Sequence, residues 1–168
     1  MPGQAEIRVE AVPRKLTLAL RQRVLRPHQR LEELGVPGEL DPGAVHLAAL
    51  LPDGTVVGTA VLLPERFAPM PDRADAWRLR AMATDERWRG RGVGRLVLDR
   101  AVEHVAARGG GLLWCHARVP ARAFYTRAGF TVVGEPWQEP FIGPHVAMYR
   151  EVTPAGAIGA PEVPARPG

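Results

Sequence analysis

The chain has 168 residues, 46% hydrophobic and 24% charged, the usage of an ordinary globular protein long enough to bury a core without staples. Its net charge of only +4, carried by arginines spread along the chain, gives weak grounds for a nucleic-acid binder. A lone cysteine, Cys115, excludes an intramolecular disulfide, no Cys/His cluster has zinc spacing, and no apolar run is long enough for a membrane span. No metal and no membrane partner are therefore expected. The first residues, Met1-Pro2-Gly3-Gln4-Ala5-Glu6, lack the basic and apolar regions of a signal peptide, so the expected location is the cytoplasm.

Glu6 to Val12 alternates polar and apolar side chains and reads as a half-buried first strand stopped by Pro13. Leu16, Leu20 and Val24 then recur at helical spacing over Lys15 to Leu25, closed by Pro27. Leu34 to Gly43, with two prolines and three glycines, reads as a loop. Ala44–Leu51 and Thr55–Pro64 are β-rich runs joined by Pro52-Asp53-Gly54, a hairpin signal. Pro64 to Asp75 carries three prolines and reads as an exposed connection, followed by a strand over Trp77–Thr84. Val93 to Arg108 is amphipathic at helical intervals and ends at Gly109-Gly110-Gly111. A strand over Leu112–Arg118, a short helix over Pro120–Ala128 stopped at Gly129, and strands over Phe130–Val133 and Val146–Val152 complete the pattern. The order predicts one α/β domain over residues 1–152, a mixed sheet of about seven strands with helices on both faces. The Pro, Ala and Gly content of residues 153–168 predicts a flexible tail.

The stretch richest in chemistry is Arg89-Gly90-Arg91-Gly92-Val93-Gly94, between the Trp77–Thr84 strand and the helix that opens at Val93. Glycines that lead onto a helix start present bare backbone N–H groups, and the helix dipole adds attraction for an anion such as a pyrophosphate. A dinucleotide fingerprint fails, because counting from Gly90 and Gly92 its third glycine falls at Arg95. A P-loop fails too, since the only lysine is Lys15. Two other readings of the loop stay open on the residues alone. Arg87, Arg89, Arg91 and Arg95 with Trp88 could hold nucleic acid, or form a solvated loop.

The spacing that does fit is Arg-x-x-Gly-x-Gly, Arg89 through Gly92 to Gly94, which resembles the acyl-coenzyme A pyrophosphate loop of the GNAT N-acetyltransferase superfamily. A second stretch, Phe124-Tyr125-Thr126-Arg127-Ala128-Gly129-Phe130, resembles the Phe-Tyr-x-x-x-Gly-Phe segment that closes the acyl-coenzyme A site there, one helix and one strand downstream. Within the superfamily, Leu79 to Thr84, Trp114 to Arg118 and Gly143-Pro144-His145 resemble a bacterial subgroup of unknown acceptor. The resemblance spans roughly residues 6 to 151 and implies the GNAT fold, acetyl-CoA as acyl donor, and a small-molecule or peptide amine as acceptor. Nucleic acid is not an expected partner, and a monomer or homodimer is expected.

The resemblance further implies that Arg89, Gly90, Arg91, Gly92, Val93, Gly94 and Arg95 hold the pyrophosphate. The backbone of Met82, Ala83 and Thr84 would pair with the pantetheine arm, and the N–H of Ala83 or a neighbour would polarise the thioester. Tyr125 becomes the acid that protonates the departing thiolate, against the plainer reading of a core tyrosine. The attacking amine must be neutral, and two candidate bases stand out. Glu86 follows the strand closely, although an exposed glutamate is usually a loop or cap charge. His116 alternates with Trp114 and Arg118 on one strand face and could be base, acceptor contact or a partly buried histidine. Arg80 and Arg118 could bind an anionic group on the acceptor, or simply pair with Glu65, Asp99 or another carboxylate. His145 is a further candidate for acceptor contact. Cys115 points opposite to His116 and reads as a small core residue. A catalytically weak acyl-CoA-binding sensor or partner module is the alternative to an enzyme.

Overall fold

The computed structural model describes residues 6–156, so the tail expected over 153–168 lies mostly outside the described residues. Seven strands form one mixed sheet in the order β1-β2-β3-β4-β5-β7-β6. They are β1 (Arg8–Ala11), β2 (Val45–Leu50), β3 (Val56–Pro64), β4 (Ala76–Thr84), β5 (Gly111–Arg118), β6 (Thr131–Glu139) and β7 (Gly143–Val152). The α-helices are α1 (Leu18–Leu25), α2 (Val93–Ala107) and α3 (Arg122–Arg127). Contacts group the chain into two compact units, one of residues up to 64 with 79–101, the other of residues 65–78 with 102 onward. β4 and α2 each contribute residues to both. No described helix is long and apolar enough to cross a membrane.

In the first unit, β1, β2 and β3 form an antiparallel meander with Val9 opposite Ala49 and Leu47 opposite Ala60. The Pro52-Asp53-Gly54 turn forms as its chemistry demands. Gly54 adopts φ 89°, and the Asp53 carboxylate accepts from the Thr55 N–H at 2.9 Å. Leu47, Val57, Val61 and Leu62 are fully buried, and Val93 and Val97 of α2 pack onto β3 at Gly58. A Cβ on Gly58 would stand 2.8 Å from Val93 Cγ1, so the missing side chain is what lets the helix lie this close to the strand. The first helix departs from its expected face. Leu20 is buried but Leu16 is half exposed, and Arg21 is buried instead, bonded to Glu39 at 2.8 Å. Glu39 also accepts from the Val36 N–H at 2.9 Å and lies 3.1 Å from Arg14 Nε. This ionic cluster ties the Leu34–Gly43 loop to α1.

In the second unit, β7 pairs antiparallel with β5 on one side and β6 on the other, Trp114 standing opposite Tyr149 and Trp137 opposite His145. Both β6 and β7 run longer than expected, because the register shifts between Val133 and Trp137 and the strand resumes beyond Gly134, which adopts φ 81°. The segment expected as an exposed connection is not wholly exposed. Phe67 is completely buried and stacks on Trp114 with ring centroids 4.8 Å apart, at the centre of a cluster with Ala76, Leu112 and Ala147. Its aromatic surface outweighs the local proline content.

Candidate functional site

The glycine loop lies in the first unit. It begins at a 3₁₀ turn, Glu86–Trp88, capped by Asp85, whose carboxylate accepts from the Arg87 N–H at 2.9 Å. Asp85 is almost fully buried and also bonds Arg23 at 2.9 Å. The Arg87 side chain, burial opposing it, holds the Asp85 carboxyl below its ordinary range. After the turn, Gly90 and Gly92 take φ 77° and 82°, the left-handed region that glycine enters without strain. α2 then starts at Val93, its first helical bond running from Leu96 N–H to Gly92 O at 3.1 Å. The N–H groups ahead of Leu96 have no acceptor within the helix, and its first turn carries no acidic residue. Arg87, Arg89, Arg91 and Arg95 are exposed around it. Arg87 is bonded to Asp85 and Arg95 to Asp99, while Arg91 lies over the Trp88 ring at 4.9 Å.

Upstream of the loop, Ala81 adopts φ 52° inside β4, a conformation that costs a non-glycine residue about 1–3 kcal/mol. Its carbonyl accepts from Thr59 Oγ1 at 3.2 Å. Arg80, Met82 and Thr84 are half buried and Ala83 is buried, so the strained residue sits among those expected to meet the pantetheine arm. Glu86 is exposed and lies 3.4 Å from Arg23 Nε. Its own backbone N–H, with Arg23 adding to it, lowers the carboxyl pKa, which makes it a poorer proton acceptor than a free glutamate.

The remaining candidates lie in the second unit. Tyr125, on α3, is buried, its ring edge-on to Phe124 at 5.0 Å and to Phe130 at 5.3 Å. Burial raises the phenol pKa well above its ordinary value, with Cys115 a lesser cause, so the hydroxyl stays protonated. Gly129, at φ 92°, ends the helix and lets Phe130 N–H return to Tyr125 O at 3.0 Å. Cys115 is buried as expected, and burial pushes its thiol up to about 12. On the opposite face of β5, His116 is exposed between two tryptophans, 5.1 Å from Trp114 and 4.8 Å from Trp137 by ring centroids. Its Nδ1 meets Arg78 Nη2 at 3.1 Å, and Arg78 also bonds Glu65 at 3.0 Å and covers the Trp114 ring at 4.6 Å. His145 is buried on β7 with Nδ1 3.0 Å from Gly143 O, and stands in register with Arg118.

Residues 14–130 match the model of the acetyltransferase (GNAT) family. The chain belongs to that family. It is 33% identical over 144 residues to the uncharacterized N-acetyltransferase YitI of Bacillus subtilis, covering 86% of this chain and 95% of that one. Its fold is shared by the ribosomal-protein-S18-alanine N-acetyltransferase of Escherichia coli, with a TM-score of 0.68 at 16% identity over 89% of this chain and 96% of that one. It is shared equally by an aminoglycoside 6'-N-acetyltransferase complexed with coenzyme A, with a TM-score of 0.67 at 15% identity over 88% and 98% of the two chains.

The protein is thus a GNAT acetyltransferase, and acetyl-CoA is the acyl donor of its family. The residues present suit that donor. Two left-handed glycines, a helix start without acidic side chains and a fringe of exposed arginines are what a bound pyrophosphate would call for. A Cβ at Gly90 would meet nothing within 4 Å, so the glycine is there for its backbone conformation and not for lack of room. Three contributors escaped the sequence reading. Asp85 anchors the turn through a buried carboxylate, Arg78 holds His116, and Trp137 flanks it from β6. Asp85 alone had a local signal, as an Asp immediately before a short turn that precedes a helix.

Proposed function

We propose that this acetyltransferase moves the acetyl group of acetyl-CoA directly to a primary amine within one ternary complex. The observation that carries the reading is the loop from Arg89 to Arg95, where Gly90 and Gly92 turn left-handed immediately before α2. Acetyl-CoA, when bound, supplies the activated thioester. Arg89, Arg91 and Arg95, with the N–H groups around Gly92, Val93 and Gly94, hold its pyrophosphate. The backbone of Met82, Ala83 and Thr84 pairs with the pantetheine arm, and the N–H of Ala83 or a neighbour polarises the thioester oxygen.

Tyr125 donates a proton to the departing thiolate. Its burial supports this role, because a phenol whose pKa is raised remains in the donor form across the working pH range. Arg80, Arg118, His116 and His145 are the acceptor contacts. Glu86 takes no proton in this scheme, since Arg23 and its own backbone favour the ionised form. The acceptor itself is a small molecule or peptide carrying the amine.

The test is release of free coenzyme A thiol against a panel of amines, amino acids, aminoglycosides and peptides, with mass spectrometry of the acceptor. Thiol release matched one-to-one by an N-acetylated product is expected for at least one acceptor. Tight acetyl-CoA binding with no transfer to any amine would overturn the proposal and leave an acyl-CoA-binding module.

A further inference from the structure

The second unit carries two histidines, His116 on β5 and His145 on β7, whose side chains lie on one face of the antiparallel pair. The register fixes this: Arg118 stands opposite His145, and His116, two residues from Arg118, is on the same side. Their hydrogen bonds impose opposite proton placements. A guanidinium has only donors, so at 3.1 Å from Arg78 Nη2 the Nδ1 of His116 accepts, and its ring proton is on Nε2. The one lone pair of neutral His116 is therefore spent. A carbonyl oxygen has only lone pairs, so at 3.0 Å from Gly143 O the Nδ1 of His145 donates, and the lone pair of neutral His145 is on Nε2. Among the described residues no hydrogen bond to that Nε2 is seen.

We propose that His145 is the proton acceptor for the incoming amine, and that His116, whose Nδ1 is held by Arg78, is not. The proposal rests on the acetyl-transfer reading above and deepens it. The step is a single proton transfer. The ammonium of the acceptor gives one proton to His145 Nε2, which leaves a neutral amine and an imidazolium bearing both N–H groups. Gly143 O keeps its bond to Nδ1 throughout, so the ring is oriented before and after the transfer, as a backbone carbonyl commonly orients a working histidine.

The neighbours favour that assignment. The Trp137 ring lies 6.0 Å from His145, tilted by 32°, and its Nε1–H is bound to Glu139 Oε2 at 2.8 Å. Arg118 of β5 stands opposite His145, β6 carries Glu135 and Glu139, β7 carries Arg150 and Glu151 towards its far end, and Arg78 and Glu65 lie at His116. Protonation of His116 would break its bond to Arg78 and set two cations side by side. Protonation of His145 breaks no hydrogen bond.

Two measurements decide the matter. In the intact protein with uniformly 15N-labelled histidines, side-chain NMR above neutral pH should show His145 protonated on Nδ1 and His116 on Nε2. His145 protonated on Nε2 would overturn the proposal whether or not an acceptor is known. For an amine found in the thiol-release panel, kcat/KM should rise with pH. His145→Asn keeps an N–H near the Nδ1 position and removes the Nε2 lone pair. It should lower kcat/KM roughly 100-fold and abolish the rise, with acetyl-CoA affinity unchanged. His116→Asn should leave the rise in place. Persistence of the rise in His145→Asn, or its loss only in His116→Asn, refutes the assignment. If the panel yields no acceptor, the functional reading fails separately, and the NMR tautomers alone decide the proton placement on the two histidines.

Discussion

Gly90 and Gly54 allow the pyrophosphate loop to be tested against its own control. Both glycines belong to the first unit and both adopt a left-handed φ, 77° at Gly90 and 89° at Gly54. At each, a Cβ would meet nothing within 4 Å, so alanine costs only backbone conformation and causes no clash. That cost is about 1–2 kcal/mol. The less flexible unfolded chain returns about 0.4–1 kcal/mol, which leaves a net loss of about 1 kcal/mol. For a chain of this size, each substitution should lower Tm by about 2–4 °C. The two should differ in ligand binding. If the Gly90 backbone sets the N–H groups that hold the pyrophosphate, misplacing one charge-assisted bond costs about 1.5–3 kcal/mol. Isothermal titration with acetyl-CoA should then show Kd rising about 10- to 150-fold in Gly90→Ala and unchanged in Gly54→Ala. Equal Tm losses with equal affinities would refute the assignment of this loop to the donor.

Tyr125→Phe, which preserves the buried ring, should lower kcat roughly 100-fold with acetyl-CoA affinity retained, measured by thiol release and titration calorimetry; an unchanged kcat would make Tyr125 a core residue only. Because burial pushes the Cys115 thiol up to about 12, native protein at pH 8 should not react with a disulfide reagent, and one thiol should appear on unfolding in urea. Glu39→Gln should cost about 3–5 kcal/mol in urea denaturation at pH 7, since it leaves the buried Arg21 without its anion. Burial pushes the Glu39 carboxyl up, but bonds from Arg21, Val36 and Arg14 outweigh it and the folded value is lowered. Its stabilisation is therefore complete above the ordinary carboxylate range and lost as pH falls through the folded value, so the gap between wild type and variant should narrow in acid. A gap independent of pH would show that the cluster contributes no ionic stabilisation.

The elements were legible wherever a local rule acts alone. Asp53-Gly54 closed the β2–β3 hairpin, Gly129 stopped α3, and the 3.6-residue spacing of Val93, Val97 and Val105 gave α2 its buried face. The misreadings occurred where a distant contact overrode the local signal. Phe67 lies in a proline-rich stretch, yet its ring is worth more against Trp114 than in water. Beyond Val133, β6 continued because a glycine bulge let the strand realign on β7, which no periodicity within β6 announces. Arg21 is charged and still buried, since the loop delivers Glu39 to it.

The donor and acceptor sides differ in legibility for the same reason. A loop that meets phosphate with its backbone must place glycines at fixed positions, and those positions are visible in sequence. The proposed acceptor side is written in side-chain pairs whose members are far apart in sequence, and only strand register brings them together. Arg78 and Arg80 share one parity in β4, so alternation cannot tell which of them bonds His116. The structure shows that Arg78 does. His116 and His145 are likewise indistinguishable by residue type, and what separates them is whether the nearest partner of Nδ1 is a guanidinium or a carbonyl. That contrast sets which ring nitrogen of each neutral histidine holds the lone pair. Acceptor specificity in this protein should accordingly follow the β5, β6 and β7 side chains around Trp137, and exchanges there should alter the choice of amine with the glycine loop left intact.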